Sequence, residues 1–190
     1  MVGLIIFVAL IVVAVVYVLS TYNGLVRLRE SVKQAFSNIG VLLKQRHDEL
    51  PKLIETCRQY MTYEQETLER VLKARTQVST AQGSGDVRQL AAAEGEMQSG
   101  LTKLFALAEQ YPVLKANEGF LQLQARITSL EEQIADRREL YNESVNLYNT
   151  RQAMFPDSVV AGMGDFKPAR LLEFGAEETS DPSVKQLFKG

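Results

Sequence analysis

Residues Val2 to Leu19 read VGLIIFVALIVVAVVYVL, eighteen residues without a charged side chain. At 1.5 Å per residue a helix of that length spans about 27 Å, close to the hydrocarbon core of a bilayer. A helix on the surface of a soluble protein keeps a polar face, and this run has none. A cleaved signal peptide would carry a basic start and a small-x-small cleavage site. No Lys or Arg precedes the run, and STYNG follows it. The segment therefore reads as a retained transmembrane anchor, residues 1–21. Arg27, Arg29 and Lys33 follow the run, diluted by Glu30. The positive-inside rule then places the N-terminus outside and the body in the cytoplasm. Tyr17 and Tyr22 fall where an interfacial aromatic belt would sit.

Beyond the anchor, Leu25, Leu28, Val32, Ala35, Ile39 and Leu42 follow a 3-4-3-4-3 spacing, a heptad seam. Phe36 and Leu43 widen it toward a bundle. Gly24 alone costs about 1 kcal/mol against Ala, so the anchor can run straight into this helix. Pro51 disfavours helix at Leu50 and marks either a turn or a kink. Leu53, Ile54, Cys57, Met61, Leu68, Val71 and Val78 continue a helical stripe. AQGSGD at 81–86 is a turn, with Asp86 placed to cap the next helix. That helix carries Leu90, Ala93, Met97, Leu101 and Leu104 and ends at Tyr111-Pro112. Asn117 caps the last helix, whose heptad stripe runs from Phe120 through Ile127, Leu130, Ile134, Tyr141 and Val145 to Tyr148. It should stop near Phe155-Pro156.

From Pro156 on, Gly162, Gly164, Gly175, Pro168 and Pro182 make a poor helix. The segment is nonetheless too apolar for a disordered tail. It reads as an extended arm, 156–190, docking on its own bundle or on a neighbouring subunit. Phe166, Leu171, Phe174, Leu187 and Phe188 are its candidate oligomer-contact residues. The expected fold is all-α: a single transmembrane helix, an antiparallel four-helix bundle of long helices over 22–155, and this tail.

Nothing in the chain spells catalysis. The 21 basic and 23 acidic residues give a net charge of -2, without the basic excess of a nucleic-acid surface. A bundle di-metal site needs two Glu-x-x-His ligand sets; here there is one histidine, His47, with Lys44 three residues before it. No H-E-x-x-H, C-x-x-C, G-x-x-x-x-G-K-[ST] or G-x-G-x-x-G occurs. His47, Asp48 and Cys57 could suggest a nucleophile, but ten residues of helix separate His47 from Cys57 by about 15 Å. No catalytic residue, metal or cofactor is expected. A less bland feature is Tyr-Asn at Tyr22-Asn23, Tyr141-Asn142 and Tyr148-Asn149. Tyr141 and Tyr148 share one helix face. These residues are candidates for setting helix register or, as the weaker reading, for contacting a partner.

YNGLVRLRESVKQAFSNIGVLLKQRHDELPKLIETCRQYMTYEQETLERVLKAR resembles the LemA family, as do LFALAEQYPVLKANEGFLQLQ, LEEQIADRRELYNESVNLYN and the closing FP. The resemblance runs in order from Tyr22 to about Phe155, with a weaker echo through Phe166 to Phe174. The family typically has Trp where this chain has Phe36 and Asp where it has Gly40. The resemblance implies a single-span protein of the bacterial inner membrane with a cytoplasmic four-helix bundle, and it favours a turn or sharp kink near Pro51. It carries no catalytic residue. A magnetosome relative is associated with membrane organisation, and in some bacteria the gene lies near that of a membrane metalloprotease.

Two functions compete. One is a membrane-tethered scaffold that assembles as a homo-oligomer and organises lipid or membrane proteins. The other is an adaptor that presents a helix face or the tail to a membrane protein partner such as a metalloprotease. An enzyme with an unrecognised site is the remote third.

Overall fold

A computed structural model describes residues 1–173. The elements among them are all helical: α1 (Val2–Arg58), α2 (Gln65–Ser84), α3 (Val87–Ala108), α4 (Pro112–Lys115), α5 (Glu118–Ala153) and α6 (Asp157–Met163). Packing divides the chain into two units. One comprises residues 1–38 with 137–171, the other 39–136 with 172–173. Helices α1 and α5 contribute residues to both.

In the first unit, the apolar start of α1 is long enough to cross a membrane, and none of its most apolar window is buried. Thr21 is the first buried residue of the helix, followed by Leu25 and Val32. From there an all-round apolar surface gives way to a stripe of sevens, and in the same unit Tyr141, Val145 and Tyr148 of α5 are buried. Phe36 meets Tyr141 with ring centroids 5.7 Å apart. Of the α1 seam, Leu25, Val32 and Ile39 are buried while Leu28, Ala35 and Leu42 are half-buried; the α5 stripe is buried at Phe120, Ile127, Leu130, Ile134, Tyr141, Val145 and Tyr148.

In the second unit the stripe of α1 continues as Ile39, Leu43, Leu50, Leu53, Ile54 and Cys57, all buried. Helix α1 does not turn at Pro51, which lies inside it. The turn comes only past Arg58, where the Tyr60 and Met61 N–H groups both donate to the Cys57 carbonyl at 3.0 and 2.8 Å. Of the two alternatives at Pro51, the continuous helix is the one present, and the turn follows about two helical turns later. The reason is local. Proline has no N–H to give the carbonyl four residues back, that of His47. Arg75 on α2 fills the vacancy, its Nε donating to His47 O at 2.9 Å. With the orphan acceptor satisfied and Leu50, Leu53 and Ile54 buried around it, continuing the helix costs less than breaking it.

Helix α2 doubles back onto α3 across Gly85, whose φ of +67° needs a residue without a Cβ. Asp86 caps α3 as expected, accepting from the N–H groups of Arg88 and Gln89 at 2.9 and 3.3 Å. Asn117 caps α5 by accepting from Phe120 N–H at 2.9 Å. One element departs from expectation. Residues 157–163 form α6 rather than extended chain. The breakers bracket this helix instead of interrupting it, with Pro156 before it and Gly164 after it, and only Gly162 lies inside.

The core of the second unit also holds charge. Arg46 is 1% exposed and sits on the buried stripe between Leu43 and Leu50. It donates to both oxygens of Glu94, at 2.5 and 3.0 Å, and to Glu131 at 2.7 Å. Burial disfavours its charge, but the two carboxylates outweigh that and hold the proton more tightly than usual. Such a group adds little net stability when complete and becomes costly when broken. Arg46→Met should lower unfolding free energy by about 3–5 kcal/mol in a denaturant titration, since Glu94 would be left buried without that charge. Adding Glu94→Leu to the same chain should recover most of the loss.

Candidate functional site

No group of three or more His, Cys, Asp or Glu side chains that could hold a metal occurs among the described residues. His47 is half-buried on α1, and its carbonyl is engaged by Arg75. Asp48 is exposed and paired with Lys44. Cys57 is fully buried, and burial pushes its thiol up to about 12, far from a reactive thiolate. The three do not form a nucleophilic set.

The polar groups that do converge lie in the first unit, where the chain after α5 returns along it. Tyr148 Oη donates to the Lys167 carbonyl at 3.0 Å, and Tyr141 Oη to the Arg170 carbonyl at 2.8 Å. Asn149 grips Ala169 from both sides. Its Nδ2 donates to the Ala169 carbonyl at 2.8 Å, and its Oδ1 accepts from Ala169 N–H at 2.9 Å. Gln152 adds a bond to the Phe166 carbonyl. Every contact is to backbone, so α5 acts on this stretch as a neighbouring strand would. The spacing follows from the sequence. Tyr141 and Tyr148 repeat at seven, so the same helix face delivers both hydroxyls to one strap.

Phe166 anchors the strap. It is 7% exposed and meets Tyr22 edge-on at 5.4 Å. The Arg29 guanidinium lies 5.3 Å above its ring. Gly164 keeps this corner open, since a Cβ there would fall 2.5 Å from the Phe166 ring. Of the remaining Tyr-Asn residues, Asn23 is exposed and Asn142 half-buried. Leu171 is 36% exposed. Phe174, Leu187 and Phe188 lie outside the described residues.

A second cluster closes the unit beside the anchor. Asp157, at the start of α6, is 5% exposed. It accepts from Tyr17 Oη at 2.9 Å and Thr21 Oγ1 at 3.4 Å, and it pairs with Arg151. The Arg151 bond foremost, with those from Tyr17 and Thr21, holds its carboxyl below the usual 3.8. Sequence reading missed Asp157, Arg46 and Glu94. Positions 46 and 94 were legible as charges on heptad stripes. Asp157 had no such signal, because two of its partners, Tyr17 and Thr21, stand 140 and 136 residues away.

Two outcomes follow. Tyr148→Phe keeps the ring and removes one hydrogen bond, costing about 1 kcal/mol; amide exchange at 166–170 should quicken. A carboxyl with a depressed folded pKa contributes stability above its unfolded value and loses it as pH falls through the folded one. The thermal midpoints of the native chain and Asp157→Asn should therefore differ at neutral pH, and the difference should shrink only as pH falls below about 3.8 toward the lower folded pKa.

Comparison with known proteins fits this architecture. The family model for the LemA family matches residues 35–186. The chain is 23% identical over 194 residues to magnetosome protein MamQ 2 of Paramagnetospirillum magneticum, covering 90% of this chain and 71% of the relative. It is 22% identical over 196 residues to magnetosome protein MamQ of Magnetospirillum gryphiswaldense, with the same shares. It is 26% identical over 167 residues to protein LemA of Metamycoplasma hominis, covering 87% and 74%. With most of its length inside the family model, and with the apolar helix and long helical body in place, the chain belongs to the LemA family.

Proposed function

We propose that this protein is a non-enzymatic, membrane-anchored scaffold that assembles as a homo-oligomer. Its body lies at the cytoplasmic face of the inner membrane, as an antiparallel bundle of α2, α3, α5 and the latter part of α1. There it organises lipid or neighbouring membrane proteins. Relatives named as magnetosome proteins favour a role at a membrane structure over a role in metabolism.

The observation that carries the reading is a second stripe on α5. Tyr141 and Tyr148 face inward, yet Leu140 and Leu147 also stand seven apart and are 46% and 57% exposed. Single exposed leucines are ordinary. A repeat at seven on the outer face of a long helix is what a second copy can match with its own. The Tyr141 and Tyr148 hydroxyls and the Asn149 amide are engaged with the chain's own strap, so the contact between copies rests on this leucine ridge.

The test is the mass of the full-length protein in a gentle detergent or a nanodisc, beside Leu140→Glu/Leu147→Glu. A discrete oligomer is expected, reduced to monomer by the double substitution with helix content unchanged. A native chain that is monomeric at cellular concentration would sink the scaffold reading in favour of an adaptor with a membrane protein partner.

A further inference from the structure

Outside the anchor, several of the chain's most exposed large apolar side chains gather around α6. Phe155 is 82% exposed, Met163 79%, Val159 57% and Met154 56%. Residues this apolar, this close in sequence and this bare are unusual on a surface that meets only water. Their placement supplies the explanation. Asp157 lies within the same ten residues and bonds to Tyr17 and Thr21. Tyr17 belongs to the apolar run, and Thr21 lies two residues past its end. The bonds therefore hold α6 beside the last turn of the anchor, at the depth where hydrocarbon gives way to headgroups.

We infer that the segment Met154–Met163 is a second membrane-contact element, seated in the leaflet next to the body and burying these four side chains among lipid. The inference rests on the anchor reading. The occupant is phospholipid rather than another protein, because the patch continues the surface the anchor already presents to lipid. Its charge is arranged accordingly. Asp157, the acidic residue within the segment, is turned inward and paired. Arg151 is 55% exposed and Lys167 80% exposed on the flanks, where anionic headgroups would meet them. Asp165, 85% exposed, opposes them in part. A short helix with apolar side chains on its free side, lying against a spanning helix, has the form of an interfacial segment.

The chain has no tryptophan, so one introduced residue reports alone. Four single substitutions in the full-length protein are compared in liposomes with and without bromine on the upper acyl chain. Phe155→Trp and Met163→Trp probe the segment. Leu10→Trp reports on the anchor. Gln34→Trp, exposed on α1 about 22 Å past Leu19, reports on water. The expected result is blue-shifted emission from residues 155 and 163 that brominated lipid quenches, with residue 34 red-shifted and unquenched. Unquenched emission at 155 and 163 beside a blue-shifted Leu10→Trp overturns the inference and leaves the anchor standing, whether that emission is red (open to water) or blue (covered by protein). A red-shifted Leu10→Trp would remove the anchor and the inference together. Using two reporter positions, with helix content checked for each, keeps a misfolded variant from deciding the outcome.

Discussion

Hydrocarbon offers no water to complete a backbone hydrogen bond, so a chain that crosses it has to stay helical until it has left. That constraint sets the register for the rest of the first unit. Helix α1 begins at Val2, and none of its most apolar window, long enough to cross a membrane, is buried. No proline follows Leu19 before Pro51. The helix continues, and its sides change character instead. Thr21, Leu25 and Val32 turn one face inward while the others become polar. The heptad seam begins where the all-round apolar surface ends. The same continuity fixes which face α5 can cover, and so where Tyr141 and Tyr148 present their hydroxyls.

Backbone accounting also explains the second unit. A proline in mid-helix leaves a carbonyl without a donor, and the usual outcome is a kink or an end. Here Arg75 reaches from α2 and donates to His47 O. The sequence shows Pro51 plainly but not its rescue, because the rescuing residue sits 28 positions away on another helix. Local rules therefore leave a turn and a continuing helix both open at Pro51, and a tertiary bond decides for the continuing helix. Arg46 is the converse case. Its position on the stripe of Ile39, Leu43 and Leu50 was visible, so a charge in the core could have been read directly. Its partners could not, since Glu94 and Glu131 come from separate helices.

The legible parts are those encoded by nearest neighbours on a helix. The anchor, the stripes of α1 and α5, the Asp86 and Asn117 caps and the glycine turn at 85 all rest on spacings of a few residues. The strap was legible only as a contradiction: a segment too rich in breakers for a helix and too apolar for a free tail. Its docking is written on α5, not on itself. Lys167, Ala169 and Arg170 are held by their backbone atoms, and the Lys167 side chain is 80% exposed. Inspection of those residues could not reveal where they bind.

That arrangement has a consequence for how the strap discriminates. Bonds to carbonyls and to one N–H accept nearly any residue at 167–170, provided the chain is extended there. Selectivity then falls on Phe166, the buried ring of the corner, wedged against Tyr22 and under Arg29. A ring in that corner fixes the register of the hydrogen bonds that follow, much as a turn fixes the register of a hairpin. The corner in turn lies one short helix away from Asp157 and its bonds to Tyr17 and Thr21. So the segment around α6 is held on both sides, and α1 supplies both holds: Tyr17 and Thr21 on Asp157 at its start, Tyr22 on Phe166 after it. Residues no more than five apart on one helix thus place a segment some 140 residues later in the chain, which is why neither part explains the other until they are seen together.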